Sequence, residues 1–324
     1  MQEQRRTIQA IGLGFIASLF LSSTFIINSL LAHTTGHWTW TAALRSIFLI
    51  PILGIILLCS KQLKPMLQAI QQMPGLFIQW GILSFGALYT LLALASLFVP
   101  GWLVAATFQI NILAGMLLAP FIYNDHRSKI PRRALLLSVL ILVGVLIMQF
   151  EKLQHVDHIG GVILSFFLVL GGAVAWPLGN RKLMVELEKR GLQLNAVQRV
   201  MGLTIGCMPL LLFLCCIGYV QTGWPPIGQS EASFYAALFS GCLGGVGFYK
   251  ATHLVKHNPV ALSTIEATQV FEIFFTLIGE MILNHAGFPG IYGTAGMLVI
   301  LVGIGMHCYT AVKHKPAISL QLSS

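Results

Sequence analysis

Apolar runs of about twenty residues, interrupted by short stretches rich in Pro, Gly and charge, follow one another along this chain from Gln9 to residue 311. A helix needs ~20 apolar residues to cross the hydrocarbon of a bilayer. The pattern therefore predicts ten spans, at 9–32, 41–60, 74–96, 102–123, 132–150, 160–179, 196–220, 232–252, 259–283 and 290–311. Breaks fall at Thr34-Thr35-Gly36-His37, across 124–133, and at Gly223-Trp224-Pro225-Pro226. The run from Gln9 to Ala32 exceeds the ~7–15 residues of a signal-peptide core and reads as an uncleaved first span. Lys182 to Leu194 mixes charged and Leu residues, and reads as a short interfacial helix or a plain linker. Trp38, Trp40, Trp102 and Trp224 fall at one set of boundaries, where indoles prefer to lie. Pro51, Pro120, Pro177 and Pro209 fall inside spans as candidate kinks.

Composition narrows the class. Only 9% of the 324 residues are charged and 56% are hydrophobic, whereas soluble domains carry roughly 25% charged residues. The expected fold is an all-α polytopic membrane protein, with no polar stretch long enough for an appended catalytic or nucleic-acid-binding domain. The net charge of +9 has a positional explanation. Sixteen of the 19 Lys and Arg residues, from Arg5 and Arg6 to Lys313 and Lys315, fall at alternate span boundaries. The opposite loops hold Lys152 alone, and Arg45 and Arg199 fall inside spans. This is the positive-inside pattern for both termini in the cytoplasm of a cell with the chain in its plasma (inner) membrane. It makes a nucleic-acid partner unnecessary. The six Cys show no C-x-x-C spacing and read as small buried hydrophobes, and the ten His show no metal-ligand clustering. Neither metal nor cofactor is expected.

An internal repeat carries most of the functional information. Val139-Leu140-Ile141-Leu142-Val143-Gly144 resembles Leu298-Val299-Ile300-Leu301-Val302-Gly303. Gly81, Tyr89 and Gln109 recur as Gly241, Tyr249 and Gln269; Pro100, Arg45 and Asn28 recur as Pro259, Arg199 and Asn180. The expected organisation is a five-helix repeat over 1–150, a connection over 151–195 that includes the start of span six, a second repeat over 160–311, and a cytoplasmic tail over 312–324. An odd number of spans per half inverts the second half, an architecture of alternating-access transporters.

Three features also resemble a known family: an Arg early in the second helix of each half, Gly279-Glu280 near the end of span nine, and Gly296-x-x-Val-Ile-x-x-Gly303 in span ten. They resemble the ten-helix branch of the drug/metabolite transporter superfamily, built from two EamA-type repeats, over essentially the whole chain. Within it the resemblance is to multidrug resistance efflux transporters. It implies secondary efflux of small amphipathic compounds or drugs. The first half departs from the pattern, with Tyr123-Asn124-Asp125 where a Gly-Glu is expected.

Span nine holds the chemistry. Glu266, Gln269, Glu272, Thr276 and Glu280 share about a 120° arc at 100° per residue. Such a stripe is costly against lipid and should face the bundle interior or a wet cavity. Arg45 is expected at the depth of Glu280, and Arg199 at that of Glu266, as structural ion pairs; both arginines could otherwise snorkel to headgroups. Glu272 falls near mid-membrane without a basic residue at its depth, and is the first candidate for proton coupling, with Glu266 second. Gln109, Asn111, Tyr89, Tyr249 and Trp176, with Gln269 and Thr276, are candidates for a substrate cavity, although each also fits plain core packing. Gly241, Gly244, Gly245 and Gly247 read as close helix packing.

The leading expectation is a proton-coupled exporter with a small-molecule substrate, protons and the bilayer as partners. An exporter or exchanger of amino acids or other metabolites is the alternative. An enzyme is disfavoured by the lack of any Asp within a span and of an H-E-x-x-H motif, and ATP-driven transport by the lack of a Walker A pattern. A channel is less expected. The charge asymmetry sets a topology test: reporter fusions at Asp157 and after Gln221 read external and one after Lys189 reads cytoplasmic, whereas a cytoplasmic signal after Gln221 overturns the span count.

Overall fold

The computed structural model describes residues 2–34, 36–130, 132–153, 159–255, 258–283, 285 and 287–313; Asp157, Lys256, Lys315 and the tail from residue 314 lie outside the described residues. Ten helices are long and apolar enough to cross a membrane: Gln4–Ala32, Trp38–Cys59, Pro74–Ala95, Gly101–Ile122, Arg132–Glu151, Ile159–Lys189, Ala196–Thr222, Ile227–Leu254, Val260–Leu283 and Ile291–Thr310. They are referred to as spans one to ten. Each coincides with an expected apolar run, with ends shifted by a few residues.

Two segments differ from expectation. Span six does not stop near residue 179 but continues to Lys189, so Lys182 to Leu194 forms neither a separate helix nor a simple linker. The extension is made of good helix formers and seats Leu183 and Leu187 in the core. Gly191, at φ +71°, then turns the chain, and Asn195 starts span seven with a reciprocal capping box to Gln198. The second difference is an amphipathic helix, Leu63–Gln72, between spans two and three, which buries Met66 and Ala69. Its ten residues are too few to cross a membrane.

The spans pair in a definite pattern. Span two packs on span seven, four on nine and five on ten, while span one packs on eight and three on six. Irregularities fall at corresponding places. Span four is broken at Gln109, between Gly101–Phe108 and Ile110–Ile122; span nine is broken between Thr268 and Phe271, beside Gln269. Spans three and eight each contain a π-helical stretch, Ile82–Gly86 and Ala237–Gly245, the first just after Gly81 and the second enclosing Gly241. Such widened turns disturb the backbone ladder and concentrate at functional sites.

Packing explains where small and aromatic residues sit. Cys207 and Cys242 are buried, but Cys59 and Cys216 are exposed on the outer faces of their spans, where a weakly polar thiol is tolerated. Trp40 and Trp102 are also buried rather than turned outward. Trp40 donates from Nε1 to the Gly223 carbonyl at 3.2 Å and stacks beside the exposed Trp224. At the contact of spans five and ten, a Cβ on Gly144 would lie 2.8 Å from the Gly296 carbonyl oxygen. Gly144→Ala should therefore destabilise the bundle by about 1–3 kcal/mol through overpacking. Thermal unfolding of the purified variant checks this; an unchanged midpoint would show that the two backbones do not meet.

Candidate functional site

Span nine sets the floor of the interior. Gln269, Glu272, Thr276 and Glu280 are buried and Glu266 is half-buried, so the expected polar stripe faces protein throughout. Two cavities adjoin it. The larger, about 110 Å³, lies where Arg127, Lys129, Arg181 and Arg199 collect, and is also lined by Tyr123, Asn180, Glu188 and Glu266. The smaller, about 40 Å³, is lined by Thr24, Tyr89, Ser240, Tyr249, Gln269 and Glu272 from the middle of their spans. Trp176 and Phe248 belong to both linings, with ring centroids 5.5 Å apart. Further ring contacts run from Phe248 to Tyr249, Phe85 and Tyr89, and from Trp176 to Phe108. An apolar molecule between the cavities would meet aromatic faces.

The arginines are held differently from expectation. Arg45 and Glu280 do not pair. Arg45 lies 3.9 Å over the Tyr89 ring and donates from Nη2 to Ser240 Oγ at 3.1 Å, an oxygen that also accepts from Thr24 at 2.5 Å. Glu280 instead accepts from the backbone amides of Gly101 and Trp102, at 2.8 and 2.9 Å. Those amides open span four and lack helical partners, and Gly101 has no side chain to keep the carboxylate away. Nor does Arg199 pair with Glu266. Its guanidinium sits 4.5 Å over the Tyr249 ring and Nη2 donates to the Tyr249 carbonyl at 3.2 Å. Glu266 is bonded by Arg181, which also donates to the Gly115 carbonyl. Both arginines are thus stacked on the matching tyrosine of their own half, and neither snorkels.

Arg181 is a site residue that sequence reasoning placed only at a boundary. The available signal was spacing: Pro177, Arg181, Met184 and Glu188 recur every three or four residues and all line the larger cavity. Glu188 accepts from Arg127 at 2.9 Å, and Arg127 also bonds Asp125 at 2.8 Å. Hydrogen bonding to Asp125, then Glu188, holds the Arg127 guanidinium above its usual value. Gln109, Asn111 and Thr276 are buried but line neither cavity; Gln109 donates to the Ala105 carbonyl at 3.0 Å beside the helix break. Glu272 Oε1 has no hydrogen-bond partner. Among the described residues, no group of three or more His, Cys, Asp or Glu is placed to hold a metal.

The end of the bundle away from the larger cavity is cross-linked. Besides the Glu280 contacts, Gln229 Nε2 donates to the His37 carbonyl and to Thr41 Oγ1, both at 2.9 Å, and Glu151 accepts from the Gly290 and Gly293 amides at 2.6 Å.

A family model, EmrE, described as "Putative multidrug resistance efflux transporter", matches residues 8–313. The chain belongs to this family. A Bacillus subtilis (strain 168) relative, "Uncharacterized protein YjlA", is 37% identical over 320 residues, covering 95% of this chain and 97% of the relative. A Shouchella clausii relative, "Uncharacterized 42.1 kDa protein in intracellular alkaline protease 3'region", is 34% identical over 269 residues, covering 81% of this chain and 69% of its own length. A solved structure described as "Crystal structure of protein" superposes with a TM-score of 0.63 at 12% identity, covering 94% of this chain and 97% of that one, and shows a shared fold. Membership of the EmrE-type efflux family makes the chain a multi-pass membrane protein of a drug/metabolite transporter family, whose members take small-molecule substrates.

The Arg181–Glu266 contact can be tested by a double-mutant cycle. Arg181→Met or Glu266→Gln alone leaves a buried group uncompensated and should cost about 3–5 kcal/mol, more than the double variant. Strictly additive losses in folded yield and thermal stability would show that the two groups do not interact.

Proposed function

We propose that this family member is a proton-coupled exporter of small amphipathic compounds, working by alternating access in the plasma membrane with both termini in the cytoplasm. One observation carries the reading: a cavity at the basic end and a second one at Glu272 share Trp176 and Phe248 as a common wall, while the opposite end is cross-linked. With the basic end cytoplasmic, as the positive-inside pattern has it, this is a cytoplasm-facing state.

The matched helix breaks, π-helical stretches and arginine–tyrosine stacks support two related halves, 1–150 and 160–311, inverted across the membrane and joined through 151–195. Rocking of such halves exposes a central site to each side in turn. Opening the far side requires release of Glu280 from the Gly101 and Trp102 amides and of Gln229 from Thr41. The aromatic faces of Tyr89, Tyr249 and Trp176 meet the apolar body of the substrate. Glu272, in the deep cavity and without a cationic partner, takes a proton when dry and gives it up when hydrated. The occupation of Glu266 by Arg181 favours Glu272 over Glu266 for this role.

Glu272→Gln keeps the shape and removes the titration. In proteoliposomes, efflux driven by a pH gradient should fall at least about tenfold, because no other group of the deep cavity carries the proton, while exchange without a gradient persists. Full pH-driven transport in E272Q moves the role to Glu266, and its survival in E272Q, E266Q and the double variant removes proton coupling through span nine.

A further inference from the structure

We infer that Arg199 is the anchor for an anionic head group, so that the compounds taken up at the basic end are amphipathic carboxylates rather than organic cations. The inference rests on the transporter reading and specifies its substrate class. Arg199 is the fourth residue of span seven, is only 6% exposed, and lines the larger cavity. Its ring contact and single backbone hydrogen bond position the guanidinium without neutralising it. Nε has no partner, and among the described residues no carboxylate lies within 4.0 Å of Arg199. A guanidinium does not shed its proton in a protein, so the charge persists there.

The two carboxylates of the cavity are already paired with arginines, and Lys129 in the same lining adds a further positive charge. Glu266 faces Arg181, and Glu188 faces Arg127. An organic cation entering here would have to displace a bonded arginine from a carboxylate. A carboxylate would find a buried guanidinium with a vacant donor, whose planar fork suits two carboxylate oxygens. Asn180 stands in the same lining with its amide oxygen unpartnered, and turning the amide over presents N–H groups to the same anion. The rings of Trp176 and Phe248 lie next along the path and offer a surface for an aromatic or aliphatic body. The deep carboxylate Glu272 then remains separate from the anion site and available to protons.

The test uses one phenyl body with three heads: 3-phenylpropionate, 3-phenylpropionamide and 3-phenylpropylamine, titrated calorimetrically against the full chain in phosphatidylcholine nanodiscs. The expected order places the carboxylate at least about tenfold tighter than the other two, the scale of a charge-assisted hydrogen bond. Arg199→Gln should lose about that factor for the carboxylate alone, and Arg199→Lys should keep the preference. The amine binding tightest, or the carboxylate no better than the amide, overturns the inference even if R199Q fails to fold. An equal loss for all three ligands in folded R199Q also overturns it, by making Arg199 structural. Flux in proteoliposomes separates the two readings: the expected binding order without pH-driven or counterflow movement of any ligand removes the transporter reading and leaves the anion site standing.

Discussion

A polar side chain in the middle of a hydrocarbon layer can bond only to other parts of its own protein or to a wet cavity, and this requirement organises the bundle. Span nine presents four such side chains on one buried face, and spans one, four and ten pack against it. Backbone groups obey the same rule. The amides that open span four are met by Glu280, those that open span ten by Glu151, and a carbonyl near the break in span four by Gln109. Outward faces carry apolar residues such as Phe121, Phe213 and Ile282. Beside the two cavities these pairings leave two stacked arginines, the Glu272 carboxylate and a line of aromatic rings. The site is this remainder.

The number of spans, their order and the buried face of span nine were legible from hydrophobic runs and 100° periodicity alone. Choice of partner was not. Depth along the membrane can be read from a sequence to within a turn, but the rotation of a neighbouring helix cannot. So Glu280 and Arg45, expected at similar depth, have different partners, and Glu266 meets Arg181 from span six instead of Arg199 from span seven. The length of span six was misread for a related reason: Arg181, Lys182, Glu186, Glu188 and Lys189 around Leu183 and Leu187 look like a loop to a hydropathy window, although the two leucines lie on one buried face. The breaks beside Gln109 and Gln269 had a trace in the sequence, a recurring glutamine in an apolar run, but no Pro or Gly marks them.

The corresponding arginine–tyrosine stacks differ in surroundings, and the difference matters. Tyr89, Ser240 and Thr24 line the deep cavity, and the Arg45 that they hold is not itself part of that lining. Arg199 of the matching stack is itself part of the wider cavity. One motif therefore occurs once outside a cavity lining and once within one in the same conformation.

Span six has a mechanical consequence. Its 31 residues make a rod of about 46 Å at 1.5 Å per residue, longer than the hydrocarbon thickness of about 30 Å that a span must cross. Pro177 removes one backbone hydrogen bond and supplies a fulcrum within it. Glu188 lies eleven residues beyond, a lever arm of about 16 Å, so bending by about 10° at Pro177 carries it by roughly 3 Å. That displacement equals the whole length of its contact with Arg127. A small flexure beside Trp176 is therefore amplified at the tip of the rod into making or parting the strut that ties span six to the segment ahead of span five.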